Sequence, residues 1–203
     1  MHEPAPTGTD EDAVLMSQLR EGDRAAFTRL YDRHARSVVS FAYRFVQDRA
    51  KAEELAQEVF LKLFRSAESY EPRARFKTFL FRIAANHCLN ERRRGEYRTQ
   101  TSLPETEDGK QLDPAAPATE GPDEALAGKD LEGVLGKALA ELPERERVAF
   151  CLARFEGMPY REIAAALNAS EPAIKSLIHR ATVSVARRLA PVVGADPLKS
   201  ARG

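Results

Sequence analysis

Residues 159–189 read PYREIAAALNASEPAIKSLIHRATVSVARRL. Ile163, Ala164 and Leu167 fall at i, i+1 and i+4, which gives a short helix one apolar side. Asn168-Ala169-Ser170 then breaks it. Ser170 suits an N-cap, and Pro172 is tolerated only in a first helical turn. Beyond the break, Ile174, Ile178, Ala181 and Val185 recur at helical spacing and mark a buried side. The opposite side carries Glu171, Lys175, Ser176, His179 and Arg180, polar groups able to reach base edges or phosphates. Arg187 and Arg188 close the helix, where cations suit its dipole and can also meet phosphate. A short helix, a tight break and a second helix with a polar outer face form a helix-turn-helix, whose second helix enters the DNA major groove. The competing reading is an ordinary helical hairpin with a solvated basic face. The cap, the compact Ala-rich first helix and the placement of charge favour DNA.

Outward from this segment, the 203 residues suffice for one or two small domains, and a hydrophobic content of 43% supports globular cores. Basic and acidic side chains number 31 each, so total charge says nothing about partners. Their distribution does. Residues 12–98 hold 18 basic and 12 acidic groups, and residues 128–203 hold 12 and 9. Between them, residues 99–127 hold 1 and 7. Two basic modules on an acidic connection suit contact with a polyanion. Cys88 and Cys151 are the only cysteines and neither has a metal-spaced partner, which points to buried thiols in a reducing cytosol. No basic start precedes an apolar stretch, and no apolar run reaches bilayer length. A soluble chain of the cytoplasm, without membrane insertion, is expected.

The pattern is helical throughout and predicts an all-α fold. Residues 1–10, with Pro, Gly and Thr, read as a disordered tail. Val14, Leu15 and Leu19 mark a first helix, ended at Gly22-Asp23. Ala26, Phe27, Leu30 and Tyr31 open a second, which continues through Val38, Phe41 and Phe45 with a bend expected near His34. Leu55, Val59, Phe60, Leu63 and Phe64 form the stripe of a third. After a loop over 66–75, Phe76 to Arg94 makes a helix that turns Phe79, Leu80, Ile83, Ala84, Cys88 and Leu89 inward. Residues 99–127, with Pro104, Pro114, Pro117 and Pro122, read as a flexible acidic linker. A second module spans 128–191, and 192–203 form a C-terminal tail.

Three motifs, in order, carry a resemblance. AEELAQEVFLKLF at 52–64 resembles the polymerase-binding helix of bacterial sigma factors. FKTFLFRIAAN at 76–86 resembles their promoter-melting helix. LPERER at 142–147, with YREIA at 160–164, resembles the start of their C-terminal domain. The two-module size is similar to that of the extracytoplasmic-function (ECF) group. The resemblance implies sigma domain two over 11–98, for polymerase binding, −10 recognition and melting, and the helix-turn-helix sigma domain four over 128–191, for −35 recognition. It implies, as partners, the β′ and β subunits of core RNA polymerase, promoter DNA in double- and single-stranded form, and an anti-sigma factor. It implies a nucleoid-associated place of action and no cofactor or metal.

By the resemblance, Glu54, Gln57 and Glu58 contact the β′ coiled coil. On the residues alone, a solvated surface is the favoured reading of that polar face, with Glu54 to Glu58 and Glu58 to Lys62 each one helical turn apart. Lys77, Arg82, Arg92 and Arg93 supply phosphate attraction along the fourth helix, and the interleaved aromatics can hold an unstacked base. Asn86 offers two donors and an acceptor to a base edge, where the resemblance puts the non-template strand; a surface or capping amide is the alternative. The loop over 69–75 is implied to enclose an extruded base. Phe79 stands where the family commonly has Trp and is expected in the core; Leu177 replaces a frequent basic residue and is expected to add packing.

Two other classes compete. A helix-turn-helix repressor or activator that needs no polymerase leaves the 76–94 cluster without a task. An enzyme would have to use Glu53, Glu54 and Glu58 as metal ligands or His87-Cys88 as a base and thiol pair. Adjacent helical side chains diverge by roughly 100°, and no second His/carboxylate motif completes a di-metal site.

Overall fold

The structure, a computed structural model, describes residues 10–72, 74–101 and 122–193, and the side chains among them from 10 to 91 and from 131 to 192. The described residues form eight α-helices and no strand, as the sequence predicts: α1 (Glu11–Arg20), α2 (Arg24–Val46), α3 (Arg49–Arg65), α4 (Phe76–Thr101), α5 (Pro122–Ala140), α6 (Glu144–Arg154), α7 (Tyr160–Ala166) and α8 (Glu171–Val193). A single 3-10 turn at Ala67–Ser69 interrupts the loop between α3 and α4. The expected N-terminal tail lies outside the described residues apart from Asp10. Helix occupies both ends of the 99–127 connection, and 102–121 lie outside the described residues.

Three aspartates start the first three helices. Asp10 accepts from the Asp12 amide at 3.2 Å, Asp23 from the Ala25 amide at 2.9 Å and Asp48 from the Lys51 amide at 3.0 Å. Each satisfies an amide that a helix start leaves without an intrahelical partner, typically stabilising the fold by about 1 kcal/mol. Helix α2 runs without a break through His34. His34 is held sideways, 2.8 Å from Asp12 of α1, with its ring 5.2 Å from that of Phe76.

Leu30, Val38, Phe41, Val59, Leu63, Leu80 and Phe81 are buried where α2, α3 and α4 meet. The second module centres on Leu139, Val148, Leu152, Ile163, Ile174 and Ile178. Its helix-turn-helix matches the sequence reading. Asn168 turns the chain in the left-handed region at φ 47°, and the Ser170 hydroxyl accepts weakly from the Ala173 amide at 3.4 Å. Ile174, Ile178, Ala181 and Val185 are all buried. Leu177 is half-buried and packs on the core, as expected of a leucine there.

The modules also pack on each other. α4 lies against α6 and α7, and α2 against α5 and α6. Arg147 of α6 is 2% exposed and donates to the Phe45 carbonyl of α2 at 2.7 Å and to the Leu142 carbonyl at 3.0 Å. Its guanidinium also lies 5.3 Å over the Phe45 ring. In return, Arg44 of α2 lies 3.9 Å over the Phe155 ring. Gly136 completes the seam: a Cβ there would stand 2.7 Å from Oε1 of Gln47, the left-handed residue that ends α2.

Candidate nucleic-acid interface

α3 and α8 present the polar faces that the sequence marks. Glu54, Gln57 and Glu58 are all exposed on α3. One turn further along, Leu61 is 47% exposed, and Phe64 is 42% exposed at the edge of the same surface. The sequence reading missed Leu61 because it falls outside the core stripe, and it placed Phe64 inside that stripe. Phe64 does meet Phe27 edge-on at 5.3 Å, yet one side of it faces solvent. A polar row that ends in exposed apolar side chains suits a protein partner better than it suits solvent.

The expected pair from Glu58 to Lys62 is not what Lys62 makes. Its ammonium lies 2.6 Å from Nδ1 of His87 on α4. With Lys62 as donor, Nδ1 accepts, and the ring proton then sits on Nε2. Lys62 therefore belongs to a groove between α3 and α4 whose walls include Ser66, Ser69, Phe79, Arg82 and Asn86. Arg82 and Asn86 are exposed there, as expected for a strand-binding surface.

Phe79 corrects the sequence reading. It is half-buried, not in the core, and it lines the groove. Its ring meets Tyr70 at 5.0 Å and lies beneath Arg82, 5.2 Å from the guanidinium. Among the described side chains of α4, Phe76 and Phe81 are the fully buried aromatics, so neither offers a face to a base. Tyr70, which the sequence reading did not single out, sits behind Phe79. Burial first, and then the carboxylates of Asp10 and Asp12, push its phenol up to about 12. Nothing in its local spacing marks it; it is found only once the loop is folded against α4. The groove thus combines one aromatic face, an arginine, a lysine and an amide, a set able to hold an unstacked base beside a phosphate.

Lys77 stands apart from that groove. Its ammonium donates to the Glu156 carbonyl at 2.6 Å and lies 3.4 Å from the Glu156 carboxylate in the second module. Arg92 and Arg93 lie within α4, and their side chains are outside the described set. On α8, Glu171, Lys175, Ser176, His179 and Arg180 are all exposed on one side. The Ser176 hydroxyl donates to the Pro172 carbonyl at 3.0 Å, so its oxygen is the part left for a ligand. Arg180 is 2.6 Å from Glu146 of α6.

The thiols make no nucleophile. Cys88 and Cys151 are buried, and burial pushes each up to about 12, so each keeps its proton near neutrality. No helix among the described residues is long and apolar enough to cross a membrane.

The order of these surfaces matches a known family. The model of sigma-70 region 2 matches residues 30–98, and that of sigma-70 region 4 matches residues 133–183. Together they span more than half of the chain, which belongs to the sigma-70 family of transcription initiation factors, in its ECF branch. Among curated relatives, the RNA polymerase sigma-H factor of Pseudomonas aeruginosa is 29% identical over 186 residues, covering 91% of this chain and 96% of the relative. The ECF RNA polymerase sigma-E factor of Escherichia coli K12 is 27% identical over 184 residues, covering 90% and 96%. Two solved structures share the fold. CnrH in complex with the cytosolic domain of CnrY has a TM-score of 0.64 at 23% identity, covering 90% of this chain and 99% of the other. The sigma factor RpoE in complex with the anti-sigma factor NepR, from Bartonella quintana, has a TM-score of 0.65 at 24% identity, covering 84% and 98%.

Proposed function

We propose that this protein is a sigma factor that binds core RNA polymerase, directs it to specific promoters and promotes DNA melting at the start of transcription. It acts as a regulatory subunit and not as an enzyme, in the bacterial cytoplasm at the nucleoid. The observation that carries the reading is the succession of three surfaces on a chain matched by both sigma-70 regions: the exposed α3 row, the α3–α4 groove and the outer side of α8. Sigma domain two spans 11–98 and sigma domain four 128–191. Glu54, Gln57, Glu58 and the adjacent Leu61 receive the polymerase β′ subunit. Lys77, Arg82, Asn86, Arg92 and Arg93 engage the −10 element and the opened strand. Glu171, Lys175, Ser176, His179 and Arg180 read the −35 element as duplex. Opening duplex DNA costs a few kcal/mol per unstacked step, and capture of the released strand in the groove offsets it.

The acidic connection over 99–127 lets the two domains span separated promoter elements, which adds effective concentration to two modest affinities. Two solved relatives are complexes with the cytosolic domain of CnrY and with the anti-sigma factor NepR, which supports an anti-sigma factor as a further partner here. A repressor that works without polymerase would leave the Glu54–Leu61 row unused.

Reconstitution with core polymerase tests the reading. The natural chain is expected to give transcripts with a defined start site, and Leu61→Asp to weaken polymerase association by roughly tenfold or more while helix content is unchanged. No association of the natural chain with core polymerase would refute it.

A further inference from the structure

The first turn of α4 is engaged by the other domain. Lys77 is held by Glu156, and Thr78 donates its hydroxyl proton to the Glu162 carboxylate at 2.6 Å. Arg75 lies 3.6 Å from the other oxygen of Glu162. The side chains of Glu156 and Glu162 are only 6% and 14% exposed, so neither is an incidental surface acid. Their partners lie on the first domain. Gly157, at φ +62°, turns the chain directly after Glu156 and so sets it at the seam. Two carboxylates at one helix start, Glu156 beside an ammonium and Glu162 beside a hydroxyl and a guanidinium, together receive what a phosphodiester would receive there.

We propose that Glu156 and Glu162 form an acidic latch that closes the molecule by standing in for DNA phosphate at the start of the melting helix, so that strand binding and domain closure exclude each other. The inference rests on the assignment of α4 to strand binding given above and adds its regulation. The rest of the seam joins the two cores into one apolar cluster and adds Arg147 on the Phe45 carbonyl and Arg44 on Phe155. Opening it exposes apolar surface, so the closed form is the resting one and a ligand must offset that cost. Binding of the polymerase or of DNA, which favours the separated form, therefore shifts the molecule open by differential affinity.

The chain carries its own reporter. Its two cysteines lie one on α4 and one on α6, each buried, and Cys151 is within electrostatic reach of both Arg44 and Cys88 across the seam. The full chain, Glu156→Gln/Glu162→Gln and Glu162→Gln alone are compared. Three readouts are taken: the rate of maleimide labelling, affinity for a fluorescent thymidine oligonucleotide without polymerase, and circular dichroism. With helix content unchanged, both variants are expected to label faster, the double glutamine by roughly tenfold, and the double glutamine to bind the oligonucleotide several-fold more tightly. Labelling at the natural rate in both variants would overturn the latch. Faster labelling with unchanged oligonucleotide affinity would overturn the phosphate mimicry. Loss of helix in the double variant passes the decision to Glu162→Gln alone. Transcription with core polymerase, measured on the natural chain, separates failure of the latch from failure of the sigma assignment: the labelling result stands whether or not transcripts appear.

Discussion

α8 packs on α5, α6 and α7 of its own domain, and its ion pairs, Arg180 with Glu146 and Arg188 with Glu141, stay within that domain. α4 is held at its first turn by residues from three other places: Asp10 on the Phe76 amide, Glu156 on Lys77 and Glu162 on Thr78. The duplex-reading helix is thus held only from within its own domain, while the strand-binding helix needs the other domain displaced first. A reader of closed DNA can scan without opening the molecule. A surface that rewards open DNA is safer if it is covered until the correct complex has formed.

The largest effect expected on this contrast comes from Arg147, the buried cation that ties the domains. Arg147→Ala leaves the carbonyls of Phe45 and Leu142 without this donor. Urea unfolding is expected to show a loss of about 3 kcal/mol, the sum of charge-assisted bonds removed from a buried site. A loss under about 1 kcal/mol would mean that water enters the seam freely.

A smaller effect separates two residues of α8. Lys175→Ala is expected to weaken binding to a −35 duplex by about 1–3 kcal/mol. Arg180→Ala is expected to weaken it less, because Arg180 must first leave Glu146 at 2.6 Å. Fluorescence anisotropy on the two variants decides, and equal losses would show that the pair does not persist in solution.

The smallest effect near neutrality is an alkaline one. Cys88 and Cys151, one in each domain, are pushed by burial from an ordinary value of 9.0 to about 12. The folded chain keeps these protons where the unfolded chain gives them up. Their contribution is intact below about pH 9 and is lost as pH rises from about 9 towards 12, by as much as about 1.4 kcal/mol per pH unit for each thiol. Cys88→Ala and Cys151→Ala are each expected to remove one thiol's share of that slope in denaturation curves taken across this range. A slope unchanged in both would show that the thiols are reached by solvent.

The helices were legible in the sequence because their apolar periods are long and their breaks are marked by Asp, Gly and Pro. The helix-turn-helix was legible to the residue, since Asn168, Ser170 and Pro172 state the turn locally. What local spacing does not carry is which polar residue meets which. Lys62 stands one turn from Glu58 yet meets His87, 25 positions away. Phe79 has the spacing of a core residue, but a loop residue, Tyr70, backs it and leaves its face to the groove. Lys77 reads as a phosphate contact and is closed against Glu156, 79 positions away.

Asp10 serves two helices with one side chain: Oδ1 accepts from the Asp12 amide at 3.2 Å and Oδ2 from the Phe76 amide at 2.6 Å. A shortened polypeptide that began at Glu11 would retain every helix and lose the group that starts both α1 and α4. For anyone cutting the chain down, the boundary that matters falls before residue 10, and a fragment that respects it keeps the melting helix anchored to the polypeptide's own beginning.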